Sequence, residues 1–270
     1  MHKNIAPVTD KAWDEINDTA KEALTSYLSA RKSIVVKGPY GKDFGVVNEG
    51  RLSSEQSEYN DVSYGNFEVK PLTEARIEFS LNRWELDNIE RGDDNIDLDA
   101  LEEACSKIAL FEENAIYNGV DNTSMNGLKN YTSNDVRDLG DSASDIARNI
   151  SLAVSELESS YAHPPFDLIV CPVTLAKIQS AIDGESLYET IEGIIGGNII
   201  LSKAMEGAVL VPHGDDDFQL IIGEDFNIGY VAHDIDKVRL YISESFTTRF
   251  FEENKVIVFT NKSGADLNNK

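Results

Sequence analysis

The sequence predicts a mixed α+β protein: a long spine helix packed on an extended sheet, a smaller α/β domain inserted late in the chain, a leading helix and a projecting β-arm. Three observations predict it. Across residues 71–119 a period-2 run, a polar turn and a period-3.6 run follow one another, which reads as strand, turn and long helix. Residues 48–70 are polar and rich in Ser, Asn and Glu, yet Val62, Tyr64, Phe67 and Val69 are spaced as in a two-stranded ribbon. From residue 143 to 223 helical and extended patterns alternate, as in an α/β unit.

In chain order, residues 9–30 form a first helix capped by Thr9 or Asp10. Its apolar face is Trp13, Ile16, Ala20, Leu24, Tyr27 and Leu28, with Asp14, Glu15, Asp18, Lys21 and Glu22 opposite. Residues 34–47 read as a strand, a turn at 38–41 and a second strand. The arm at 48–70 cannot bury an apolar face alone, and an isolated hairpin is marginal in water, so it needs a partner surface. Ile77, Phe79 and Leu81 then alternate with Glu78, Ser80 and Asn82, and Gly92, Asp93, Asp94 and Asn95 supply a turn. The spine helix starts at Asp97 or Asp99, the latter with Glu102 at capping-box spacing. Leu98, Leu101, Cys105, Ile108, Phe111 and Ala115 form its stripe and Gly119 ends it, after about twenty residues or roughly 30 Å.

Beyond an Asn-rich loop, residues 143–161 are a helix with Ile146, Ile150, Ala153, Val154 and Leu157 on one side. The apolar run at 166–172 reads as a fully buried strand. A helix at 173–182, a loop at 183–189, a helix at 190–195 and strands at 198–202, 207–212 and 218–223 complete the insertion. Strands at 229–233, 238–245, 247–251 and 255–259 return to pair with the early ones. The segments are therefore 1–47 (leading helix and first strands), 48–70 (arm), 71–130 (spine-helix domain), 131–223 (inserted domain) and 224–270 (return and polar tail).

Composition excludes some functions. With 24 basic against 48 acidic residues the formal charge is −24, a poor match to phosphate or to anionic membranes. No run approaches the 18 or so apolar residues of a membrane span. The first residues, MHKNIAPVTD, show no apolar targeting segment. Cys105 and Cys171 read as small buried hydrophobes in a reducing cytosol. The expectation is a cytoplasmic protein without membrane or nucleic-acid partners.

Catalytic motifs are missing. His2, His163, His213 and His233 are scattered, with no HExxH and no Cys/His cluster, so no metal site is expected. The run from His213 to Asp217 offers oxygens for a hard cation but lacks the spacing of a calcium loop, and reads as a solvated turn. Gly193, Gly196 and Gly197 form no phosphate-binding signature. Glu85, Asp87 and Glu90 read as surface or inter-subunit ion pairs with Arg83 and Arg91. Trp84, beside charges on a turn, reads as a packing or interface anchor. No catalytic residue is assigned.

Four blocks of the chain resemble, in order, the encapsulin shell proteins (family 1, linocin-like). These are IAPVTDKAWDEIN (5–17), ARKSIVVKGPYG (30–41), WELDNIERG (84–92) with DLDALEEACSKIALFEENAIYNG (97–119), and GEDFNIGYVAHD (223–234) with LYISESFTTRF (240–250). The resemblance runs to about Phe259. It implies an HK97 phage-capsid-like fold, with the leading helix on the inner surface, 48–70 as the extended loop across a neighbour, a peripheral domain holding the spine helix and an axial domain at 131–223. It also implies assembly into an icosahedral nanocompartment of 60 copies or a larger icosahedral number. That shell would enclose a cargo enzyme of the oxidative-stress or iron-storage type, held by a C-terminal targeting peptide.

Site residues follow by the same resemblance. Leu24, Tyr27, Leu28, Arg31, Ile34 and Val36 would bind the cargo peptide, apolar anchors plus one Arg suiting a tail with Leu or Ile beside a polar residue; Ser33 and Lys37 depart from relatives. Asp183, Gly184, Glu185, Ser186, Leu187, Tyr188 and Glu189 would line a five-fold pore, where carboxylate rings favour cations. Trp84, with Arg76, matches a position at which some of the family carry flavin; no cofactor is otherwise required. Two alternatives stand beside this reading. A phage major capsid protein of the same fold is disfavoured by the amphipathic helix almost at Met1 and by the lack of a long scaffolding-like segment. A soluble hydrolase is disfavoured by the missing nucleophile motif.

Overall fold

The computed structural model describes residues 5–53, 57–93, 95–180, 182–183 and 185–261, with residues 182, 183 and 185 described by their backbone alone. Helix α1 (Asp10–Tyr27) is capped by Thr9, whose hydroxyl accepts the Ala12 N–H at 3.2 Å. It ends at Tyr27 rather than near residue 30, because Ser29 and Ala30 donate to the buried Glu113 carboxyl and a 3₁₀ turn at Ala30–Lys32 follows. Strand β1 (Val35–Lys37) leads to the arm, made of β2 (Val46–Leu52), β3 (Ser57–Tyr59), β4 (Val62–Tyr64) and β5 (Phe67–Pro71). Here β2 pairs with β5 and β3 with β4, both antiparallel. Tyr59, Val62, Tyr64, Phe67 and Val69 all stand exposed.

Strand β6 (Thr73–Asn82) runs directly into α2 (Arg83–Arg91), where the sequence suggested a turn around Trp84. The Asn82 side chain accepts the Trp84 N–H at 2.9 Å and Gly92, at φ +90°, closes the helix. Only Leu86 and Ile89 of α2 are buried, too few apolar positions to show a period in sequence. The spine is α3 (Asp99–Tyr117). Its start has no capping box: Asp99 is already helical, Leu98 holds the cap position, and Asp97 Oδ1 takes the Asp99 N–H at 3.1 Å. Its end folds back on itself. Leu128 and Lys129 donate to the Ile116 and Tyr117 carbonyls at 2.8 and 2.9 Å, supplying partners that a helix terminus lacks. Gly127 makes this crossing feasible, since a Cβ there would lie 2.1 Å from the Asn118 carbonyl carbon.

The chain continues through β7 (Arg137–Asp138), α4 (Ala143–Ser159), β8 (Phe166–Val170), α5 (Pro172–Ser180), β9 (Ile182–Asp183), β10 (Glu185–Ser186), α6 (Leu187–Ile195), β11 (Gly196–Leu201) and β12 (Ala208–Pro212). It closes with β13 (Phe218–Ile222), β14 (Asn227–His233), β15 (Lys237–Phe250) and β16 (Ile257–Thr260). The two strands read at 238–245 and 247–251 are one strand, β15. One edge of β15 pairs with β6; the other pairs first with β14 and then with β13, which in turn pairs with β1. The second sheet has the order β11-β8-β12-β16-β7. Strand β16 therefore joins the second sheet rather than the early strands, and β13 leaves that sheet for the first one.

Three apolar clusters follow from this topology. One lies among α1, α2, α3, β6, β14 and β15. A second holds α4 and α6 on one face of the second sheet. The third fills the space between the sheets, from Ile116 and Tyr117 of the spine to Val209, Phe218 and Phe246. Among the described residues no helix is long and apolar enough to cross a membrane.

A polar joint sits at the edge of that third cluster. The Glu113 carboxylate accepts from Ser29 Oγ, from the Ala30 N–H at 2.8 Å and from Ser202 Oγ at 3.2 Å, while Tyr117 Oη lies 2.8 Å from Ser29 Oγ. Burial pushes Glu113 up to about 7, although the Ser29 and Ala30 hydrogen bonds pull it down. A raised folded-state pKa stabilises most below the unfolded value, and the contribution is lost as pH rises through the folded one. The stability of wild type relative to Glu113→Gln should therefore fall between about pH 4.5 and pH 7, by on the order of 3 kcal/mol at most. Parallel melting curves across that range check it; a difference independent of pH would refute it.

Candidate functional site

A groove of about 310 Å³ runs along α1. One wall is the inward side of that helix, from Asn17 through Ala20, Leu24 and Leu28 to Arg31. The other is Asp225, Phe226 and Ile228 at the start of β14, with Ile242 of β15 as floor. The walls come from different physics. The helix wall is the apolar stripe of an amphipathic helix whose Trp13, Ile16 and Ala20 are held in the core. The sheet wall is rigid because β14 is laddered to β15, Ile228 opposite Ile242.

Arg31 closes one end. Its Nε donates to Glu112 Oε1 at 2.8 Å, while Nη1 and Nη2 donate to Asp225 at 3.2 and 3.0 Å; Nη2 also reaches the second Glu112 oxygen. The guanidinium carbon stands 5.0 Å from the Phe226 ring centre. Glu112 is fully buried, whereas Asp225 is 42% exposed at its side chain. Burial alone would lower the Arg31 pKa, but Glu112 and Asp225 outweigh it and hold the guanidinium charged. Arg31 is thus engaged within the chain, and Asp225 carries the charge facing solvent.

Of the six residues expected to bind a peptide, Leu24, Leu28 and Arg31 line this groove. Tyr27 lies beside it, with Lys203 Nζ 4.0 Å from its ring centre. Ile34 is buried between the sheets and Val36, exposed, is on β1 opposite Leu220, so neither lines this groove. Of the departures from relatives, Ser33 is buried and Lys37 pairs with Asp216 at 3.1 Å. Asp225, Phe226, Ile228 and Ile242 were missed as groove residues. They come from the segment leading into β14, from β14 itself and from β15, and only the fold brings those strands alongside α1.

The stretch expected to line a pore divides in two. Gly184 and the side chains of Asp183 and Glu185 lie outside the described residues. Ser186 instead caps α6, accepting from the Glu189 N–H. Leu187 is buried and Tyr188 packs partly on the same core, so these two face inward, and Glu189 is exposed in the first turn. Trp84 is 64% exposed, with the Arg91 guanidinium 5.6 Å from its ring centre. Arg76 sits 3.6 Å over the Tyr241 ring, about 20 Å back along β6 at 3.3 Å per residue. Within one subunit these two do not converge on a single flavin ring.

Other expected pairings also changed. Glu90 accepts from Thr9 and Glu85 from the Asp97 N–H, while Arg83 donates to the Asp234 carbonyl and Arg91 to Asn88. Among the described residues the acidic trio and its two neighbouring arginines form no ion pair with one another, because they engage different elements. In the 213–217 turn, the Lys255 ammonium bridges Asp215 and Asp217 at 3.1 and 2.5 Å, and His213 Nδ1 lies 2.7 Å from the buried Asp167. Among the described residues no group of three or more His, Cys, Asp or Glu is placed to hold a metal ion.

Comparison with known proteins agrees with this geometry. Residues 1–247 match the Linocin_M18 family, described as "Encapsulating protein for peroxidase". The type 1 encapsulin shell protein of Mycolicibacterium paratuberculosis is 32% identical over 92% of this chain and 94% of its own. Among solved structures, a virus-like particle from Pyrococcus furiosus superposes with a TM-score of 0.67 at 17% identity, over 91% of this chain and 98% of its own. The capsid of Myoviridae phage XM1 gives a TM-score of 0.55 at 14% identity, over 86% and 91%. The fold is thus that of HK97-type capsid subunits, and the chain belongs to the encapsulin shell proteins, a family of structural proteins rather than enzymes.

Proposed function

We propose that this chain is the subunit of a closed icosahedral nanocompartment, of 60 copies or a larger icosahedral number, that encloses a cargo enzyme in the cytoplasm. The observation that carries the reading is the arm. Tyr59, Val62, Tyr64, Phe67 and Val69 leave an apolar ribbon in solvent, which an isolated hairpin cannot sustain and a neighbouring copy can cover. The names of the matched family and relatives support the same reading and suggest cargo of the peroxidase kind, an oxidative-stress enzyme; iron storage is the second reading. The cargo's targeting peptide would lie between α1 and β14, with Leu or Ile side chains against Leu24, Leu28 and Ile228.

Mass photometry of the purified protein should give about 1.8 MDa, sixty copies of 29.9 kDa, or an icosahedral multiple of it. Removal of residues 48–70 should leave one or a few subunits; a single-subunit peak for the full chain would end the shell reading. Leu28→Asp, which puts a charge into the groove, should cut co-purifying cargo at least about ten-fold while the particle mass stays unchanged. Cargo retained at the wild-type ratio would place its site elsewhere. The acidic residues Asp183, Glu185 and Glu189 would ring a five-fold opening and favour cations. Replacing Asp183 and Glu185 with Asn and Gln should then slow uptake of divalent cations into sealed shells, and unchanged uptake would remove this role.

A further inference from the structure

Behind the polar end of the groove lies an acid that the groove itself does not use. Glu244 on β15 is 1% exposed and accepts no hydrogen bond among the described residues; in its protonated form its carboxyl shares a hydrogen bond with Glu112. The nearest cation, Arg31 Nη2, is 3.8 Å from Oε2, outside hydrogen-bond reach. Three elements present charge to Glu244: the 3₁₀ turn with Arg31, α3 with Glu112, and the segment before β14 with Asp225. From β6, Ala75 stands opposite in register, flanked by Glu74 and by Arg76, which is engaged with Tyr241. Glu113, the next residue along α3, faces Ser29 and Ala30. One guanidinium thus stands among three carboxyl groups and satisfies two.

We propose that Glu244 is a positioning residue that sets the groove through Arg31. As a neutral carboxyl it leaves the guanidinium to Glu112 and Asp225. As a carboxylate, its proton released to solvent, it draws Nη2 away from Asp225 and loosens the α1 end of the groove from β14. Burial, reinforced by Glu112 and opposed by Arg31, holds the Glu244 carboxyl well above the usual carboxylate range. The joint is tight below the folded-state value and weakens as pH rises through it. Cargo retention then falls over the same rise, a consequence that rests on the groove being the cargo site.

Hydrogen exchange on assembled full-length shells tests the device. Wild type and Glu244→Gln are compared in steps from about pH 5 to about pH 10, with rates corrected for base catalysis, so that the titration of Glu113, common to both, cancels. Backbone amides of 28–34 and 224–228 should lose about ten-fold in protection in wild type as pH rises. In Glu244→Gln the change should stay within roughly two-fold. Equal losses in both proteins, or none in wild type, overturn the proposal. A fluorescein-labelled GSGSLSIGS peptide, followed by anisotropy, should weaken with pH in wild type alone. A peptide that binds neither protein while the exchange difference persists removes the groove as the cargo site and leaves the switch standing.

Discussion

One guanidinium has to satisfy three elements at once. Arg31 emerges from the turn after α1, reaches Glu112 on the spine helix and meets Asp225 where the chain enters β14. Glu112 is fully buried, and removing one partner of such a pair leaves a stranded charge at a cost of about 3–5 kcal/mol. Lysine would not reproduce it, because an ammonium lacks the planar fork of fixed donors that meets Glu112 through two nitrogens while also reaching Asp225. This pairing ties the turn after α1 to the spine helix and to the entry of β14 at the polar end of the groove, while the core residues of α1 hold the helix itself.

The frame behind the pair is equally constrained. Strand β15 is 14 residues long and is flanked on both edges, so the sheet wall of the groove belongs to the same ladder that carries β6 into α2 and β13 back to β1. The two sheets also exchange neighbours. Strand β13 follows the second sheet in sequence but pairs in the first, and β16 follows β15 but pairs beside β12. Apolar side chains between the sheets then lock the spine helix to both. A site on such elements holds its geometry more closely than one on loops.

Charge shapes what the surface can do. With a net −24, copies of this chain repel except where apolar area is exposed and where salt screens beyond about 8 Å. The arm supplies that area. Several cations are already taken up internally: Arg31 by Glu112 and Asp225, Lys255 by Asp215 and Asp217. Association must therefore draw on shape and apolar contact more than on ion pairing.

Local pattern was enough for α1 and the spine helix, whose apolar spacing shows their buried face, for β8, a continuous apolar run, and for the β character of the arm. Leu24 and Leu28 are part of the α1 stripe, but their grouping with Arg31 as peptide-binding residues came from the family resemblance alone. The short α2 was not legible, since only two of its nine residues are buried and make no period, and the two strands read at 238–245 and 247–251 proved to be continuous β15. The resemblance of four blocks to a known family carried the shell reading, which composition could not. Only the tertiary structure decided that Ile34 turns into the core, that Asp225 and Phe226 complete the groove, and that Leu187 packs inward. Each of those depends on which distant segment lies alongside, and strand pairing between residues far apart in the chain leaves no local signal.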